Sequence, residues 1–276
     1  MLPATAAFAC NTYAYTLSHT AEDCLSRLAG QGFSEFELMM YPGHLWPPET
    51  IAASRRSLRQ LIEARRWRIV SLNMPNIDMN IAGASIEMRR YTLDLLESIV
   101  LLAGELGASG VVIGPGKANP LFPAPTERLI GHFFAALDRL RPIAEKAGTA
   151  LWVENIPFAF LPRIDELVAA IDRYGADDIG IVYDVANSHF VGENLAQALR
   201  TCRHRLRLVH LSDTDQKVYR HSPVGDGTVP FSMVPSVLQE VGHDRRAVLE
   251  IISPDPGRDI PASAELLVQA GFKAPA

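Results

Sequence analysis

Four side chains sit where groups of their kind are costly to keep. Glu154 lies in WVENIP, Asp184 in VYDVAN, His210 in LVHLSD and Glu250 in VLEI. Each is embedded in an apolar run. An ionised carboxylate there is unfavourable unless it is paired or bound to a cation. Three carboxylates brought together would also repel one another, and one divalent ion at their centre removes both penalties. Taken singly, each of the four is as readily a strand-end group held by a helix N-terminus or an arginine. Taken together they predict a metal site. Three oxygens and one imidazole nitrogen, with no thiolate, suit Mn2+ first, with Mg2+, Co2+ or Zn2+ as alternatives.

Something must carry these residues to one place. Short apolar runs recur along the chain, at 8–15, 33–40, 68–75, 110–116, 150–157, 179–187, 206–213 and 247–251. Their near-continuous apolar character fits strands buried on both faces. Helical patterns lie between them, such as 85–109 and 126–148, the latter with Pro142 as an expected kink. Ser18 or Thr20 is the expected N-cap of the first helix. Eight strands alternating with helices predict a (β/α)8 TIM barrel, one domain over residues 1–276. A doubly wound open sheet is the alternative, but its glycine-rich phosphate turn is missing after the first strand.

Chemistry in such barrels collects at the C-terminal strand ends. Glu37 and Asn73 end strands two and three, and Asn187 and His189 follow strand six. Glu37 could bind a substrate hydroxyl or orient a catalytic neighbour, or simply be ion-paired. Trp46, in the proline-rich stretch YPGHLWPPE, is a candidate lid wall, or ordinary packing over a helix end. Arg220 and His221 precede a Gly-Asp-Gly turn and are candidate substrate contacts, or else part of a solvated loop. Asp226 in that turn reads as structural. Asp213 is either a partner of the metal ligands or a loop residue. Lys117 in GPGKANP could meet a phosphate, although the spacing is not that of a nucleotide-binding loop.

The composition narrows the classes. A net charge of −5 argues against a nucleic-acid coat. No apolar run approaches the roughly 20 residues needed to span a bilayer, so no membrane partner is expected. The N-terminal stretch lacks the positive segment of a signal peptide. Three cysteines without a CxxC pattern predict no disulfide framework and a reducing, cytoplasmic setting.

The order Glu154, Asp184, His210, Glu250, with HSPVGDG after strand seven, resembles the xylose isomerase-like barrel superfamily over nearly the whole chain. The resemblance implies the single metal site of the ketose 3-epimerases, with Glu154 and Glu250 carrying protons on opposite faces of the substrate. It also implies that the loop with Arg220 and His221 contacts substrate. Those epimerases often have a histidine three residues after the aspartate, where this chain has Asn187. The DNA repair branch needs a histidine where this chain has Asn73 and an aspartate where it has Tyr219. The expected function is a divalent-metal-dependent isomerase or epimerase of a small sugar or keto-acid, acting through a cis-enediolate. A metal-dependent dehydratase of a keto-polyol and a non-catalytic sugar-binding barrel are the alternatives. A homo-oligomer is expected by analogy only.

Overall fold

The computed structural model describes residues 3–74 and 78–275. Eight parallel strands close into a barrel in chain order: β1 Ala9–Asn11, β2 Glu35–Met39, β3 Arg68–Asn73, β4 Gly110–Ile113, β5 Ala150–Glu154, β6 Gly180–Asp184, β7 Leu206–Leu211 and β8 Val248–Leu249. β1 pairs with both β2 and β8, which excludes the open sheet. The helices are α1 Ala21–Gly30, α2 Ala52–Arg65, α3 Ile86–Leu106, α4 Thr126–Ala147, α5 Ile164–Tyr174, α6 Val185–Phe190, α7 Leu195–Cys202, α8 Val234–Glu240 and α9 Pro256–Gln269. The short α6 is an addition to the regular alternation, placed directly after β6. No helix of the described residues is long and apolar enough to cross a membrane.

Local chemistry sets the boundaries. Thr20 caps α1 by accepting the Asp23 N–H, and Ser85 caps α3 by accepting that of Met88. Gly107 and Gly148 end α3 and α4 in the left-handed conformation, which a side chain would disfavour. Pro142 lies inside α4, which continues to Ala147. The first strand is shorter than its apolar run suggests. Asn11 Oδ1 accepts the Tyr13 N–H at 2.6 Å, and Tyr13–Tyr15 turns as a 3-10 helix. The last strand pairs only over Val248–Leu249, and the Glu250 N–H still donates to the Leu211 carbonyl at 3.1 Å. Pro75, at the end of the third expected strand, lies outside the described residues.

The two-residue period of the strands separates two cores. One set, including Cys10, Phe36, Leu38, Val153, Tyr183, Val209 and Leu249, packs under the helices. The other set, Ala9, Val70, Val112, Trp152, Val182, Leu208 and Val248, fills the barrel. Two positions beyond Ala9, Trp152, Val182, Leu208 and Val248 come Asn11, Glu154, Asp184, His210 and Glu250. The polar layer is thus the next inward layer toward the C-terminal end. Apolar packing below fixes its height.

Trp152 is the largest member of the inner set. A Cβ on Gly110 would fall inside its indole, and one on Gly180 would stand 2.7 Å from the ring. These glycines on β4 and β6 make room for it. Gly110→Ala is expected to lower stability by about 1–3 kcal/mol through overpacking. Equilibrium denaturation checks this, and an unchanged midpoint would show that the floor yields more easily than described.

Candidate metal centre and cavity

β5, β6, β7 and the end of β8 bring Glu154, Asp184, His210 and Glu250 together. One ligand atom from each lies within 4.8 Å of all the others, and all four residues are buried. Adjacent strands place Asp184 and His210 in register. His210 Nδ1 is 3.0 Å from Glu250 Oε2, 3.2 Å from Glu154 Oε1 and 3.8 Å from Asp184 Oδ2. Asp184 Oδ2 and Glu250 Oε2 are buried without a hydrogen-bond partner. Leaving such oxygens unsatisfied is strongly unfavourable. A divalent cation on three carboxylates and one imidazole nitrogen answers that need, so the donor set fits a metal ion.

The electrostatics express the same crowding. Burial raises the Asp184 carboxyl to about 6, against the opposing charge of His221 and with the help of Glu250. Glu154 is also raised, chiefly by burial. Burial alone would push His210 down, but the charges of Glu37 and Glu250 outweigh it and hold the imidazole well above its ordinary value. A cation among these groups would do the work of that proton, so metal uptake should release protons.

The other side of His210 faces Glu37. Nε2 lies 3.0 Å from Glu37 Oε1, and both residues are buried. Glu37 is itself held by Asn11 Nδ2 at 2.6 Å, Ser71 Oγ at 2.6 Å and Asn73 Nδ2 at 3.2 Å. Burial would raise its carboxyl, but the charge of His210 and the Ser71 and Asn11 donors keep it lowered. With Nδ1 on a cation, the neutral ring would carry its proton on Nε2, which faces Glu37 at 3.0 Å but off hydrogen-bond geometry. A carboxylate behind a ligating histidine fixes its tautomer and orientation. Glu37 lies against His210 and is not among the cavity's lining residues, a position that fits the orienting and the ion-paired readings and not a substrate contact. Glu37→Gln is expected to weaken divalent-metal affinity about 10–100-fold. Titration calorimetry with Mn2+ checks this, and unchanged affinity would remove Glu37 from that role.

Above the four residues opens a cavity of about 840 Å3. Glu154 and Glu250 line it; Asp184 and His210 lie beneath. Asn73, Asn187, Arg220 and His221 are on its walls. Asn187 is tightly held: its N–H donates to Asp184 Oδ1 at 2.6 Å and its Nδ2 to the Asn155 carbonyl at 2.8 Å. The Tyr219 hydroxyl donates to Asn187 Oδ1 and lies 2.7 Å from His221 Nε2. His221 Nδ1 is 3.0 Å from Ser212 Oγ and 3.5 Å from Glu250 Oε2.

Two candidates stand elsewhere. Trp46 packs on the hydrophobic core and is not among the cavity's lining residues. His189 points away, its Nε2 2.8 Å from Thr228 Oγ1. Asp184 caps α6, so the helical turn returns Asn187 toward it and carries His189 to another side. Lys117 and Asp226 do line the cavity. Asp213 organises the turn: Oδ1 accepts the N–H groups of Thr214 and Val229, and Oδ2 that of Gly225. Gly227 packs so closely on Asp213 that it has no room for a side chain. Tyr13, Phe158 and Tyr219 are wall residues that the sequence reading did not propose as contacts. For Tyr219 a signal was there, since it directly precedes the candidate contacts Arg220 and His221.

Residues 25–270 match the family description "xylose isomerase-like TIM barrel". The chain is 20% identical over 254 residues to the fructoselysine 3-epimerase of Shigella flexneri, covering 90% of each protein. It is 21% identical over 264 residues to the inosose dehydratase of Clostridium tetani, covering 88% of this chain and 85% of that one. The crystal structure of a D-tagatose 3-epimerase-like protein superposes with a TM-score of 0.81 at 22% identity, over 95% of this chain and 96% of the other. At that identity the likeness establishes the shared fold.

Proposed function

Because the chain belongs to the xylose isomerase-like TIM barrel family, we propose that it is a divalent-metal-dependent epimerase or isomerase of a small sugar or keto-acid. The observation that carries this reading is the division within the buried cluster. All four residues can hold an ion, but only Glu154 and Glu250 also face the cavity. The pair that meets substrate is therefore a pair of carboxylates, which can serve as general base and general acid at carbon.

Glu154, Asp184, His210 Nδ1 and Glu250 would hold the ion. A bound divalent cation polarises a ketone oxygen and acidifies the neighbouring C–H. One of Glu154 and Glu250 takes that proton, and the other returns a proton to the enediolate. Return to the opposite face of the same carbon epimerises; return to the neighbouring carbon isomerises. Two carboxylates in one cluster can hold complementary protonation states, which acid–base work needs. His221 and Asn187, locked by Tyr219, give the cavity a fixed polar wall beside the two glutamates.

A second reading is a dehydratase of a keto-polyol, supported by the similarity to inosose dehydratase. It would use the same proton abstraction and then expel a β-hydroxyl. Product mass separates the two. Metal-loaded protein incubated with ketoses, keto-inositols and hydroxypyruvate should yield a product of unchanged mass. Loss of water would favour the dehydratase. Metal binding and sugar binding without any turnover would overturn both in favour of a binding protein.

A further inference from the structure

The cavity is far larger than the reaction needs. The chemistry occupies Glu154 and Glu250 and the few polar groups beside them. A volume of about 840 Å3 falls in the upper part of the roughly 300–1,000 Å3 range that encloses drug-sized ligands. A free six-carbon sugar is much smaller than such a ligand.

Part of the surplus wall is apolar. It is formed by Met39, Met74, Ile156 and Ile252, with the rings of Phe158 and Tyr219; the charged groups Lys117, Arg220, Asp226, Arg258 and Asp259 line the rest. The Tyr219 hydroxyl is already engaged by Asn187 and His221. What Tyr219 offers the cavity is its ring. Phe158 packs edge-on against it, ring centroids 5.3 Å apart at 88°, and both rings contact Phe190. Phe158 is nonetheless 59% exposed and Ile252 40% exposed. Water-exposed apolar groups gathered on the wall of a cavity mark surface that a ligand covers.

We propose that the substrate is a sugar conjugate: a keto sugar carrying a bulky aromatic or otherwise apolar substituent, which lies against Phe158 and Tyr219 while the ketone end reaches Glu154 and Glu250. The inference rests on the proposed reaction for its ketone end and on the cavity wall for its substituent. Rings of this kind bind apolar groups through large contact area and edge or face packing.

Two aryl conjugates test it, so that the point of attachment does not decide the result. These are 1-deoxy-1-(phenylamino)fructose against fructose, and phenyl 3-ketoglucoside against 3-ketoglucose. Mn2+-loaded wild-type protein and Phe158→Ala are compared by kcat/KM and by calorimetric binding. For at least one pair the conjugate should exceed the free sugar at least 50-fold in kcat/KM, and Phe158→Ala should cut that ratio at least tenfold. Equal values within both pairs, or a ratio indifferent to Phe158→Ala, would overturn the inference while leaving the epimerase reading intact. If nothing is turned over, binding decides. A conjugate held at least tenfold tighter than its free sugar, with the difference lost in Phe158→Ala, sustains the inference and sinks the epimerase reading. No such preference in binding or turnover sinks the inference.

Discussion

Glu154→Gln and Glu250→Gln should each lower kcat by about 10²–10⁴-fold or more, the scale of a lost general acid or base, with the fold unchanged. Glutamine keeps the volume and removes both the charge and the proton site. Both residues are buried among close neighbours, so a near-isosteric change leaves the packing in place. Asp184→Asn is the informative contrast. Asp184 belongs to the cluster but does not face the cavity. Its variant should lose activity through weak metal binding and regain part of it at high Mn2+. The two glutamine variants should remain inactive however much Mn2+ is added. Steady-state kinetics across a Mn2+ series, with circular dichroism as the control for folding, separates these outcomes. Substantial activity in either glutamine variant would remove that glutamate from the proton-transfer pair.

Removing divalent metal should abolish turnover and also loosen the protein. Without an ion, Glu37, Glu154, Asp184 and Glu250 all crowd around the imidazole of His210. Asp184 Oδ2 has no hydrogen-bond donor, and Glu250 Oε2 meets the His210 imidazole off hydrogen-bond geometry. An ion bound only to the folded state at a hundred times its Kd adds about 2.7 kcal/mol. For a chain of this size that corresponds to a rise in Tm on the order of 5–10 °C. Calorimetric scans before and after chelation, and after Mn2+ is restored, measure it. Asp184→Asn should remove most of the rise. A Tm indifferent to chelation and to added Mn2+ would mean that the four residues do not hold an ion.

The barrel and the grouping of the four buried residues were legible in the sequence for one reason. A polar residue at the end of an apolar strand has few ways to be satisfied, and four of them on successive strands share one solution. Glu37 was visible as a strand-end carboxylate, but its partner was not. β2 and β7 do not pair; the two residues meet only across the closed barrel. Trp46 misled because a tryptophan in a proline-rich loop reads the same whether it packs on the core or lines a cavity. His189 misled because α6 begins at the ligand itself, and a helical turn favours the third residue on over the fifth. Phe158 was invisible for a related reason. Its place beside Tyr219 depends on two loops converging over the strand ends, and neither loop carries a pattern that fixes its path.

Proton exchange with solvent reports directly on transfer through Glu154 and Glu250. Mn2+-loaded protein is incubated in D2O with the best keto-sugar substrate, and the product is read by mass spectrometry and NMR. Transfer through Glu154 and Glu250 predicts one non-exchangeable deuterium on the carbon that was attacked, no loss of water, and no incorporation with Glu250→Gln. Product formed with the original hydrogen retained would contradict proton transfer by these carboxylates and point to direct hydrogen migration instead.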